Sequence, residues 1–266
     1  MINGALALSM LGAGGGAGSR ATSSPAEAVA ALKRALAPGA EAKGVAQAAR
    51  DPQVQRSLSR YQSALDGAKD LESALKDPRV LSVLLPALGL DGEQNKPALV
   101  FRALTSDLSN PKSLVNRLGD SRWASAAKTL NLAAGNGLQA LRSAAMQQTI
   151  TRGFESFTWR KGLDDQALGL SDALYAQENA ATVDDPYDIL GNGVMRRVVT
   201  GSLGLPDAMA VQSVETQARA ITSRLDLSKL SDPREVTKLV QRYVMNRAQN
   251  NTGGQGSPGG LLSLLG

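Results

Sequence analysis

The chain has 266 residues, with 29 Lys plus Arg against 24 Asp plus Glu, a formal net charge of +5, and neither His nor Cys. Those two absences exclude thiol nucleophiles, imidazole bases, disulfides, His- or Cys-ligated haem and ordinary zinc sites, because each chemistry needs one of the missing groups. With two Trp, four Tyr and three Phe, the core must be aliphatic, and the abundant Ala and Leu favour helix over strand.

The chain opens on MINGALALSMLGA, which lacks the positive n-region of a secretory signal and falls short of the roughly 20 apolar residues that span a bilayer. No cleaved signal peptide and no transmembrane segment are expected. Residues 12–24, GAGGGAGSRATSS, cannot bury enough apolar surface to offset their ordering entropy, so residues 1–24 are read as a flexible leader. Gly12, Gly14 and Ala17 fit a GxGxxA dinucleotide fingerprint, but no strand precedes them and no helix follows at once, so they are read as linker.

Ser24, Pro25 and Glu27 form a capping box that predicts a helix to about Arg34, closed by Pro38 and Gly39. An Ala-rich helix is expected over Glu41 to Ala49. Asp51/Pro52 opens a third, with Val54, Leu58, Tyr61 and Leu65 on one face. Asp77/Pro78 opens the most apolar one, buried nearly all round, with Gly89 as its stop. Helices near Lys96 to Leu104, Pro111 to Leu118 and Arg122 to Leu132 follow. The breaker AAGNG at 133–137 then marks an internal boundary between an N-terminal subdomain, 25–135, and a C-terminal one, 138–248.

A long helix is predicted from Leu138 to about Trp159, with Met146, Ile150, Phe154 and Phe157 along a stripe, and another over Asp165 to Asn179. The last, Pro233 to Arg247, carries Val236, Leu239, Val240, Tyr243 and Val244 on one face. Residues 249–266 read as a flexible tail ending in LLSLLG. In all, five Asp or Asn residues precede Pro and a helical pattern, at 51, 77, 110, 185 and 232: a short acceptor caps the first amides and Pro presets φ where a missing N–H costs nothing.

The second half echoes the first. RVLSVLLPALGL at 79–90 resembles GVMRRVVTGSLGL at 193–205, and LSNPKSL at 108–114 resembles LSDPREV at 230–236. The two matches differ in offset by seven residues, so duplication and convergence of apolar helices both remain open. The fold class expected is all-α, multihelical, with two similar subdomains.

Candidate chemistry is thin. Asp164/Asp165 and Asp184/Asp185 are adjacent pairs whose side chains do not face each other on a helix, and Asp185 is needed as a cap. Ser82 has no Lys three residues on, and Ser113 has only Lys112 beside it within a predicted helix. No GxSxG or Walker loop occurs. The densest basic spots, Arg160/Lys161 and Arg196/Arg197, are read as solvated helix faces and not as a phosphate-binding stripe. No catalytic, cofactor-binding or metal-binding residue is assigned, and no enzymatic activity is expected.

Within residues 71–123 an apolar helix ends in Ala87, Leu88, Gly89 and Leu90, then come Asn95 and Lys96, and later Leu114, Asn116, Leu118, Asp120 and Arg122 form a LAN.L.D.R-like pattern. On these residues the segment resembles the domain-of-unknown-function family numbered twelve-seventeen. The segment around VDDPYDILGNGVMRRVVTGSLGLP is also similar to members, so the resemblance covers roughly 45–248, with Leu88 where Phe is usual. It implies an all-helical fold, genes frequently placed among bacterial flagellar genes, and no established activity. The expectation is a non-catalytic flagellum-associated protein, an exported component or an accessory factor, with a protein partner and without small-molecule substrate, cofactor or nucleic acid. The alternative is a cytoplasmic binding module or export chaperone. Oligomeric state and the choice between cytoplasm and export stay open.

Overall fold

The computed structural model describes residues 23–134 and 137–253, and every regular element among them is helical. In chain order the α-helices are α1 (Pro25–Ala35), α2 (Ala40–Ala48), α3 (Pro52–Gly67), α4 (Leu71–Lys76), α5 (Pro78–Ala87), α6 (Pro97–Leu104), α7 (Leu114–Arg117) and α8 (Ser121–Leu130). They continue with α9 (Gly137–Arg142), α10 (Ala144–Leu163), α11 (Leu170–Asn179), α12 (Pro186–Gly191), α13 (Gly193–Ser202), α14 (Val214–Thr222) and α15 (Pro233–Gly253). Short 3-10 turns join several of them. The all-α expectation holds. Of the expected leader, 1–24, residues 1–22 lie outside the described residues, and of the expected tail, 249–266, residues 254–266 do, while 249–253 continue α15.

Side-chain caps set most of the starts. The Ser24/Glu27 box is complete, and Asp51, Asp77, Asp185 and Asp232 each accept a hydrogen bond from the amide two residues on, at 2.6–2.8 Å. Asn110 makes the same bond to the Lys112 amide at 2.9 Å but opens only a turn. The helix expected over 111–118 shrinks to the four residues of α7, which begins after Ser113, so Ser113 precedes its helix instead of lying within it. Asp70 and Ser73 cap α4, and Ser213 caps α14; neither helix was anticipated, because each is short and carries few apolar positions.

The helix expected from Leu138 to Trp159 is broken at Ser143. Its backbone is extended, and its hydroxyl donates to Ala140 O and accepts from the Met146 amide. Serine competes with helical hydrogen bonding in this way and so favours caps. At the other end of the chain, α15 runs to Gly253, beyond the expected stop at Arg247.

Buried side chains form two cores. One is continuous in sequence, from Val54 to Phe154, and centres on α5, where Val80, Leu81, Val83, Leu84 and Leu85 are all buried. The other combines Ala28, Ala31, Leu32 and Ala35 of α1 with residues from Leu163 to Ala248. The division therefore does not follow the 135/138 boundary: α1 packs on α15 and α11, while α9 and the first half of α10 belong with the first core. Its physical cause is the stripe of Ala on α1, small enough for close approach to α15, and the inward Leu141, Ile150 and Phe154. Helix α10 spans both cores and is braced by α2.

The internal echo is local. Leu90 N bonds to Leu85 O and Leu205 N to Thr200 O, each past a glycine of positive φ, so α5 and α13 end in the same Schellman-type turn. The second pair of echoing segments does not correspond: 108–114 is a turn, whereas 230–236 starts the longest helix.

Candidate functional site

The two cores meet along a cleft of about 840 Å³. Its walls are the C-terminal end of α5, the start of α8 and the second half of α10 on one side, and α11 with the α12–α13 junction on the other. Glycines permit the approach. A Cβ added at Gly191 would collide with Gly119 O, and one at Gly153 with Ala87 O, so both junctions tolerate no side chain without backbone movement.

Two arginine–carboxylate pairs shape the interior. Asp120 caps α8 through the Arg122 amide at 3.0 Å and holds the Arg122 guanidinium at 2.7 Å, with 11% and 12% of the two side chains exposed. Burial by itself would lower the Arg122 pKa, but the Asp120 hydrogen bond and charge reverse this and raise it. Arg122 Nη1 also donates to Gly89 O at 3.4 Å, bridging α8 to the turn after α5. On the opposite wall Asp172 accepts two hydrogen bonds from Arg197, both 2.9 Å, and a third from Tyr243 Oη at 3.0 Å. The Asp172 hydrogen bond raises the Arg197 pKa; burial, seconded by the Asp172 charge, pushes the Tyr243 phenol well above its ordinary value.

Between them lies a polar bridge. Asn192, 3% exposed, donates to Tyr175 Oη at 2.8 Å and accepts from the Val194 and Met195 amides, so one side chain both caps α13 and fixes the phenol facing the cleft. Burial raises the Tyr175 pKa.

The remaining cations are less committed. Arg160 Nη2 lies 2.9 Å from Glu178 and 3.4 Å from Glu41, while its buried Nε has no hydrogen-bond partner. Desolvation raises the Glu178 pKa. Lys161 stands 3.6 Å from Asp164 and is largely exposed; Arg196, also exposed, makes no ion pair among the described residues.

The sequence candidates fare differently. Arg160/Lys161 and Arg196/Arg197, read as separate solvated faces, line the same cleft. The acidic pairs do not: Asp164 accepts from the Ser171 amide and hydroxyl, Asp185 caps α12, and no cluster of acidic residues able to hold a metal exists among the described residues. Ser82 donates to Arg79 O, and the buried Ser113 hydroxyl has no partner. Sequence reasoning missed Asp172, Tyr175 and Asn192, whose neighbours are set by tertiary packing. Asp120 and Arg122 had a signal, their place in the LAN.L.D.R pattern.

A second hollow, about 470 Å³, is lined by Leu71, Thr105, Leu132, Leu138 and neighbours and carries no charged side chain. No described helix is long and apolar enough to cross a membrane.

No curated protein is matched by this sequence. Among solved structures, the crystal structure of an Agrobacterium tumefaciens protein from a structural-genomics programme is similar, with 22% identity, a TM-score of 0.68, and coverage of 90% of this chain and 99% of that one. At that identity the likeness shows a shared fold. A family described as "Protein of unknown function (DUF1217)" matches residues 87–236, a span that includes every cleft residue except Pro86. With more than half of its length matched, the chain belongs to the DUF1217 family.

Proposed function

We propose that this protein is a non-catalytic, flagellum-associated factor that works by binding another protein. The flagellar part rests on the family resemblance and the frequent position of such genes among flagellar genes. The non-catalytic part draws on the cleft: Asp120 and Asp172 are engaged with guanidinium groups and Glu93 with Lys96, and a chain without His or Cys has no imidazole or thiol to offer there. Its ordered arginines suit recognition better than proton transfer.

Deleting the gene and scoring flagella per cell and swimming on soft agar tests the flagellar part; normal flagellation and motility overturn it. Fractionation into cytoplasm, basal body, filament and medium then separates an exported component from a retained chaperone. The retained-chaperone reading draws support from the preformed cleft, since a chaperone needs a standing surface for its client.

A further inference from the structure

We infer that the cleft between the two cores docks an uncharged, extended segment of a protein partner, with Tyr175 and Asn179 holding its backbone amides. The inference rests on the binding role proposed above and gives that partner a chemistry; it does not need the flagellar setting.

The charged groups of the cleft answer one another. Arg122 pairs with Asp120, Arg197 with Asp172, Arg160 with Glu178 and Glu41, and Lys161 with Asp164, while Asp91 and Glu93 line the same space and Arg196 stands in solvent. An ion entering this balanced lining would give up its hydration without meeting an unanswered countercharge.

The unused hydrogen-bonding capacity is neutral. Asn192 Oδ1 is taken by the Val194 and Met195 amides, and this fixes Nδ2 as the donor to Tyr175 Oη. The Tyr175 proton then has no acceptor among the described residues, and burial keeps it on the phenol at neutral pH. One turn further along α11, Asn179 Nδ2 donates to Tyr175 O at 2.8 Å, leaving Asn179 Oδ1 without a donor among the described residues. Both residues are partly buried and line the cleft. Spaced i and i+4, they present an O–H donor and a C=O acceptor on one helix face.

That pair matches a peptide backbone. An extended residue projects its own N–H and C=O to the same side, so a single residue can bond to both groups. The cleft also carries Leu88, Phe157, Leu190 and Val194. A peptide brings apolar side chains beside its amides, whereas an amide-bearing sugar would place hydroxyls against those four residues without partners for them.

The test uses a hexapeptide of alternating Ser and Leu, fluorescein-labelled at one end and amidated at the other, titrated with the full-length protein and read by anisotropy. Saturable binding is expected, with affinity held within about twofold between low and high salt because no ion pair forms. Tyr175→Phe and Asn179→Ala each remove one hydrogen bond and should weaken binding about three- to tenfold. Tyr61→Phe deletes a buried phenol of the first core that does not line the cleft, and should leave affinity unchanged. Circular dichroism checks that all three variants fold. Absence of binding, no loss in either cleft variant, an equal loss in Tyr61→Phe, or tighter binding of Glu/Leu or Lys/Leu hexapeptides would each overturn the proposal. So would displacement of the peptide by an N-acetylglucosamine tetramer at equal concentration, which would assign the pair to a sugar. A normal motility phenotype on gene deletion would remove the flagellar setting and leave this result standing; absent peptide binding beside a motility defect would strike this site alone.

Discussion

The two cores differ in how the chain builds them. The first is contiguous, from Val54 to Phe154, rich in Leu and Val, and wrapped around α5, six of whose ten residues are buried. The second is assembled from the two ends of the described chain, α1 and α11–α15, and relies on Ala at close contacts and on an ordered polar network around Asp172 and Tyr243. The first core closes without the ends of the described chain, whereas joining α1 to α15 in the second closes a loop that contains the first. The cleft lies at the seam between them. The two tryptophans fall conveniently, Trp123 in the first core and Trp159 packed against the second.

The strongest way to break this comparison is to hollow each core in turn. Leu84→Ala in α5 and Leu32→Ala in α1 both truncate side chains with no exposure, and each should cost about 2–5 kcal/mol. In urea titrations of single-tryptophan variants, Leu84→Ala should lower both the Trp123 and the Trp159 midpoints, and Leu32→Ala mainly the Trp159 midpoint. Equal shifts of both probes by both variants would mean that the two cores unfold as one unit.

Next comes Arg142, which donates to Leu65 O, Asp66 O and Ala68 O at 2.7–2.9 Å and so closes the carbonyl end of α3. Arg142→Met should destabilise the first core by about 1.5–3 kcal/mol, the range for hydrogen bonds to charged groups. An unchanged denaturation midpoint would show that water replaces the guanidinium there.

At the seam, Gly191→Ala forces a methyl group against Gly119 O and should cost roughly 1–3 kcal/mol. The comparison sharpens if this variant separates the two tryptophan transitions, as expected for a lesion between cores. A single unaltered transition would place the mechanical link elsewhere, in α10.

A small effect at neutral pH belongs to Tyr243→Phe, which removes one of the three hydrogen bonds Asp172 accepts and should cost about 1.5 kcal/mol, the lower end for a bond to a charged group. In alkali it grows. Burial raises the pKa of Tyr61, Tyr175 and Tyr243, so the unfolded chain loses these protons first, near pH 10. The stability they contribute is complete below that pH and falls as pH rises through the folded values, by up to about 1.4 kcal/mol per pH unit for each fully protected phenol. Two of the three sit with the second core, so the Trp159 signal should fail at lower pH than the Trp123 signal, and Tyr243→Phe should narrow the gap. Identical midpoints would refute that asymmetry.

Much of the helical content was legible before any coordinates. Asp or Asn before Pro marks four α-helix starts out of five, and the run from Val80 to Leu88 announces a helix buried nearly all round, of which Val80, Leu81 and Val83 to Pro86 are buried and Ser82 is exposed. The exception, Asn110, makes the same cap bond, but the residues after Pro111 carry too little apolar periodicity to continue it. The cleft was legible only in fragments. Arg160/Lys161 and Arg196/Arg197 were visible as dibasic steps, and Asp120 and Arg122 as part of a family pattern, yet nothing in one dimension says that they share a wall. Asp172, Tyr175 and Asn192 gave no signal, because a side chain's partners 17 to 71 residues away are fixed by packing and not by local periodicity.

The sequence by itself determined the helical class, most cap positions and the excluded chemistries, since caps, periodicity and missing side-chain types are local properties. Only the tertiary structure decided that α1 crosses to the far core and that two dibasic steps face one cleft. Those outcomes depend on which surfaces bury one another, a competition among contacts far apart in the chain that no local pattern encodes.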